Sequence, residues 1–171
     1  DHIDEQLADF PPHYLSTTTA EQIADDLRKV HYLNPGEVRI DGQYDASNGT
    51  VEFRVIVSAD LAAGCFHKIT GALNAKQLEI LTAQICTSLD GTVVDRFQVV
   101  DNDFAEAVSQ ERIDTVSEAI RIAVRKDTPV KKLFQKFMRF ESGNEAEPIS
   151  NLESRVVIDN ESSKTCTVID V

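Results

Sequence analysis

The 171-residue chain has no tryptophan, only three cysteines and a shortage of positive charge. Lysine and arginine number 17 against 29 aspartates and glutamates, a net charge of −12. A surface of that sign repels nucleic acid unless a local basic patch outweighs it. The densest basic stretch, 125–139 ("RKDTPVKKLFQKFMR"), reads as the solvated face of a helix on an acidic protein. No nucleic-acid partner is therefore expected. Nor is there an apolar run long enough to cross a bilayer, so no membrane partner is expected either. The opening residues, "DHIDEQLADF", lack the basic start and apolar run of a secretory signal and read as the interior of a longer chain. Cys65, Cys86 and Cys166 are odd in number and far apart, which gives neither a disulfide framework nor a zinc-ligand spacing. Cys86 and Cys166 fall in strand-like runs as small core residues. A reducing, cytoplasmic setting fits them.

Catalytic signatures are missing as well. The chain has no glycine-rich phosphate loop, no His-Glu-x-x-His and no Gly-x-Ser-x-Gly elbow. Its histidines, His2, His13, His31 and His67, have no partner at ligand spacing. His67 stands two residues from Cys65, but residues i and i+2 diverge on a helix. Asp90, Asp95, Asp101 and Asp103 fall in strands and turns and read as solvated charges. Asp101 and Asp103 alone supply too few oxygens for a metal ion. No catalytic residue, metal site or cofactor is expected.

What the chain does have is alternating order. Residues 1–36 read as a helical arm or linker. Two prolines break a first helical stretch at "DFPPHYL". "TTTAEQIADDLRKVHYL" then places Ile23, Leu27 and Val30 on one face, with Thr18 and Glu21 at capping-box spacing. "NPG" at 34–36 ends that helix. "EVRIDGQYD" reads as a short strand whose partner stays open, and Asn48-Gly49 is a strong hairpin signal. "TVEFRVIVSAD" alternates, with Val51, Phe53, Val55 and Val57 on one face. A helix over "GCFHKITGALNAK", strands over "QLEILTAQICTSLDG" and "GTVVDRFQVVDND", and a helix carrying Ile113, Val116, Ile120 and Val124 follow. A long excursion over 126–153 holds a short helix, and a fourth strand arrives at "ESRVVIDN". The predicted order is βαββαβ: an α+β, ferredoxin-like domain over 37–160, with an antiparallel sheet and two helices on one face. Residues 164–171 pair with 154–159 as a hairpin, add an extra edge strand, or open a second, truncated domain.

One stretch invites a ligand. In "SADLAAGCFHKITGAL", Gly64 stands where a strand turns into a helix, and backbone donors at that N-terminus suit a carboxylate. Asp60 suits an ammonium group, so that together they match an amino-acid zwitterion. The structural alternative makes Asp60 a turn or capping residue.

Within 51–101, Ile80, Ala83, Ile85, Thr87, Asp90, Gly91, Asp95, Phe97, Val99 and Asp101 stand in an "I..A.I.T..DG...D.F.V.D" pattern that resembles the ACT domain, a small regulatory βαββαβ module. In "FPPHYLSTTTAEQIADDLR", Phe10, Pro11, Tyr14, Leu15, Thr19, Gln22 and Ile23 resemble the segment before the first ACT domain of the bacterial bifunctional P-II uridylyltransferase/uridylyl-removing enzymes. The resemblance implies a regulatory region that senses glutamine or another small amino acid. It acts on the P-II protein only through nucleotidyltransferase and HD hydrolase domains whose motifs have no counterpart here. It implies effector-binding candidates at Asp60, Ala63, Gly64, Cys65 and Phe66. The family's Asp-Arg-Pro-Gly-Leu-Phe turn has become Asp60-Leu61-Ala62-Ala63-Gly64-Cys65-Phe66, one residue longer and without Arg-Pro. A rival reading is an ACT module that binds no ligand and serves oligomerisation, such as a homodimer, or interdomain contact.

Overall fold

The computed structural model describes residues 7–102, 107–125, 157–159 and 168–170. The chain falls into two compact units, Asp1–Arg139 and Phe140–Val171. In the first, helices α1 (Pro12–Thr17) and α2 (Ala20–His31) precede strands β1 (Val38–Asp45) and β2 (Thr50–Val57). Helix α3 (Cys65–Ala75), strands β3 (Leu78–Gln84) and β4 (Val93–Asp101), and helix α4 (Gln110–Arg125) follow.

The four strands form one antiparallel sheet in the order β1-β2-β4-β3. Its main face buries Val51, Phe53, Val55, Val57, Val93, Phe97 and Val99 against Ile69 and Leu73 of α3 and the full stripe of α4, Ile113, Val116, Ile120 and Val124. This is an α+β, broadly ferredoxin-like layer, but its chain order among the described residues is ββαββα. Of the edge strand expected at 154–159, the described residues 157–159 are not in it. Strand β5 (Val157–Asp159) pairs antiparallel with β6 (Val168–Asp170) in a separate two-stranded sheet, while β1 lies beside β2. The physical reason is proximity. Asp45 closes the β1–β2 turn by accepting from the Ser47 amide at 2.9 Å and the Asn48 side chain at 2.6 Å, so β1 meets β2 across four residues. The excursion 126–153, its expected short helix and Cys166 lie outside the described residues.

Gly42 of β1 lies where the strand approaches helix α4 closely. A Cβ built there falls inside the Cγ2 methyl of Ile113 and 3.0 Å from Cε1 of Phe53. Both neighbours are themselves packed, so Gly42→Ala should destabilise the domain by about 1–2 kcal/mol. Urea unfolding checks this, and shortening Ile113 to alanine in the same chain should lower the cost of the added methyl, leaving only its tight contact with Phe53.

The second face of the sheet is covered as well. The arm covers it. Phe10, Tyr14, Ile56, Cys86 and Val94 are buried together there, with Ile23, Leu27, Val30 and Leu33 packed around them. Helix α2 starts one residue later than the spacing predicted. Thr19 rather than Thr18 is the cap, its hydroxyl accepting the Gln22 amide while the Gln22 side chain accepts the Thr19 amide.

Candidate functional site

Strand β2 leaves the sheet at Ser58 and passes through a short 3-10 turn, Ala59–Leu61. Gly64 then takes a left-handed conformation, φ +68°, with open space around it. Helix α3 begins at once with no side-chain cap, its first bond running from the Lys68 amide to the Gly64 carbonyl at 3.1 Å. First-turn amides of this kind are natural donors to an anion.

The five candidate residues do not form one surface. Asp60, Ala63 and Gly64 are exposed. Phe66 is 46% exposed, with its ring stacked 6.1 Å from Phe97. Cys65 points inward instead, and burial pushes its thiol up to about 11. Asp60 has a partner already. Its Oδ1 accepts the Gly36 amide at 3.1 Å, and the Ser58 hydroxyl and that amide hold its carboxyl below the usual range. Immediately beyond the turn, His67, Thr70, Gly71, Asn74, Leu78, Glu79 and Ile80 line an open cleft of about 380 Å³ between α3 and β3.

Three buried charge sites escaped the sequence reading. Asp95, read as solvated, is fully buried. Its Oδ1 accepts the Cys86 amide at 3.2 Å, and its Oδ2 has no partner among the described residues. Burial, opposed by that amide, raises the carboxyl to about 6. Asp101, read the same way, is buried too and accepts Arg112 Nε at 2.7 Å. The signal for Asp95 was its parity with Val93, Phe97 and Val99.

The third site lies under the arm. Arg54 and Arg96 are cross-strand partners on β2 and β4. Asp26 of α2, fully buried, accepts Arg54 Nη1 at 3.0 Å through one oxygen and Arg96 Nη2 through the other, and also the Tyr14 hydroxyl. Burial first, and then the bond to Asp26, raise the Tyr14 phenol above its ordinary range. Arg54 also reaches Asp25 and Asp41, each at 2.7 Å. Arg96 keeps Nε and Nη1 without partners among the described residues, and its guanidinium lies 5.9 Å from the Tyr14 ring centre.

Comparison with curated proteins finds bifunctional uridylyltransferase/uridylyl-removing enzymes. That of Rhodospirillum rubrum is 33% identical over 119 residues, 68% of this chain and 12% of the relative. That of Idiomarina loihiensis is 30% identical over 122 residues, 71% of this chain and 14% of the relative. The chain is a distant homologue of these enzymes. The match to the Gluconobacter oxydans enzyme reaches 26% identity over 166 residues, 95% of this chain and 17% of the relative. The chain thus spans between 12% and 17% of the uridylyltransferase/uridylyl-removing enzymes it matches. No protein-family model matches it, and no solved structure does. Among the described residues no helix is long and apolar enough to cross a membrane, and no group of three or more His, Cys, Asp or Glu is placed to hold a metal ion.

Proposed function

We propose that this chain is a regulatory, ACT-type module of a uridylyltransferase/uridylyl-removing enzyme, acting in the cytoplasm. It binds glutamine or another small amino acid at the β2–α3 turn. The observation that carries the reading is the uncapped first turn of α3 behind left-handed Gly64, four residues from the exposed Asp60 carboxylate. An α-carboxylate would take the helix amides and an α-ammonium would take Asp60. Occupancy would then bias catalytic domains elsewhere in the enzyme, whose substrate is the P-II protein, provided the ligand prefers one arrangement of those domains. Calorimetry with glutamine on the whole chain should record binding, weakened roughly tenfold or more by Asp60→Ala. No heat at millimolar glutamine in the unaltered chain would sink the reading.

A second reading is an assembly module that takes no ligand. Strand β3 is an edge strand with a register shift between Ile80 and Thr82, and Leu81 there is 49% exposed, with Ile85 beyond it at 39%. Such an edge accepts a strand from a second copy. Analytical ultracentrifugation separates the two: a homodimer indifferent to amino acids, which Leu81→Lys converts to monomer, favours assembly.

A further inference from the structure

We infer that residues 10–33 form a strap that opens from the sheet as a unit, and that Asp60 is the latch at its hinge. Only the question of what pulls the latch rests on the effector reading above. The latch itself is a matter of geometry.

Within the strap, α2 is seated by charge at its centre, while Phe10 and Tyr14 supply the buried apolar contact. Ile23, Leu27, Val30 and Leu33 are only half-buried, and the one fully buried residue of α2 is the carboxylate of Asp26. A helix seated by apolar contact would hide its aliphatic side chains completely. Here they sit at a margin open to water, and the inward anchor is one aspartate shared between two arginines. Arg96, with two buried nitrogens lacking partners among the described residues, is incompletely satisfied even when the strap is down. Loosening Asp26 releases Arg96 and the Tyr14 hydroxyl together, and leaves Arg54 to Asp25 and Asp41.

The hinge lies where the strap enters β1. Gly36 has φ +72°, a conformation that favours glycine. Its amide donates to Asp60 Oδ1 at 3.1 Å, and its carbonyl accepts Arg125 Nε at 3.3 Å. A single hinge residue is therefore clamped from both sides, through its amide by the turn after β2 and through its carbonyl by the last residue of α4. A cationic group drawn to Asp60 competes with the Gly36 amide for the carboxylate and so loosens the strap. By reciprocity, an open strap raises the affinity of Asp60 for that cation.

The two described cysteines make this measurable. Cys86, 1% exposed, lies under the strap beside Phe10 and Tyr14. Cys65, 5% exposed, lies in the core on the opposite face of the sheet. Thiol alkylation of the whole chain, resolved by peptide so that Cys166 is scored apart, reads each core separately. Asp26→Asn should speed Cys86 labelling by roughly a hundredfold or more, with Cys65 unchanged. Tyr14→Phe, which deletes only the hydroxyl donated to Asp26, should give a milder version in a chain that keeps its charges. Asp60→Ala and, separately, Arg125→Ala should each speed Cys86 labelling by about two- to tenfold.

Cys86 and Cys65 accelerating together in Asp26→Asn and Tyr14→Phe would overturn the strap, since the whole domain would then open as one. Cys86 indifferent to both Asp60→Ala and Arg125→Ala would overturn the latch. Glutamine added to the unaltered chain distinguishes the two ideas. If the Asp60 and Arg125 variants accelerate Cys86 while glutamine gives neither heat nor labelling change, the effector reading fails and the latch stands. If glutamine binds while those variants label like the unaltered chain, the latch fails and the effector reading stands.

Discussion

Asp26→Ala should weaken the seating of the arm by about 3–5 kcal/mol, and Arg96→Met in the same chain should recover more of that loss than Arg54→Met. The asymmetry comes from what each arginine keeps. Without Asp26, Arg54 still has Asp25 and Asp41 within 2.7 Å, and those carboxylates already hold its guanidinium above its ordinary range despite the opposing cost of burial. Arg96, 7% exposed, keeps no other carboxylate among the described residues and is left as a buried, uncompensated cation. The large penalty belongs to that stranded charge rather than to the net value of the ion pair. Replacing all three, Asp26→Leu with Arg54→Met and Arg96→Met, should leave the arm seated nearly as firmly as in the unaltered chain. Hydrogen exchange of α2 amides measures seating directly. A cost below about 1 kcal/mol for Asp26→Ala, or equal rescue by either arginine change, would contradict this account of the triad.

The unaltered chain should also lose about 3 kcal/mol relative to Asp95→Asn as pH rises from 4 to above 6. The sign follows from the direction of the shift. Burial raises the Asp95 carboxyl to about 6 in the folded chain, against 3.8 for an ordinary aspartate. Below the unfolded value the group is protonated in both states and costs nothing. Between the two values the unfolded chain releases its proton and the folded chain does not, so stability falls as pH rises, then levels off above the folded value. Asparagine keeps an oxygen for the Cys86 amide and does not titrate, so the difference between the two chains isolates this group. Asp25 and Glu37 have carboxyls lowered to about 2 and act in the opposite sense, losing stability as pH falls. Their contribution cancels in the comparison. Urea unfolding at a series of pH values gives the curve, and parallel profiles for the two chains would show that Asp95 ionises freely.

What the sequence made legible was whatever is encoded locally. The alternation in 51–57, the stripe Ile113-Val116-Ile120-Val124 and the turn at Asn48-Gly49 all depend on local spacing, and each element formed. Partnership over distance was not legible. β1 buries one residue fully, Val38, and carries Gly42 at its centre, so its pattern does not announce an edge strand. Asp26 and Asp95 look like ordinary surface charges, because the arginines and amides that meet them lie 28 to 70 residues away in one case and 9 in the other. At the candidate turn, Gly64 was readable as a strand-to-helix junction. The bond from Asp60 to Gly36, 24 residues back, was not. The inward turn of Cys65 was hidden for another reason: helical spacing alone allowed Phe66 the core-facing position.

Closing the sheet with β1 also changes the entropy of assembling it. An edge strand drawn from 157–159 would have to find β2 across a span on the order of a hundred residues, whereas β1 meets it across a four-residue turn. By the logarithmic scaling of loop closure, that difference is worth about 3 kcal/mol of search that the chain does not have to make. Every strand and helix of the four-stranded layer is present once residue 125 has been made. On a ribosome, that layer is free to form while the rest of the chain is still being synthesised.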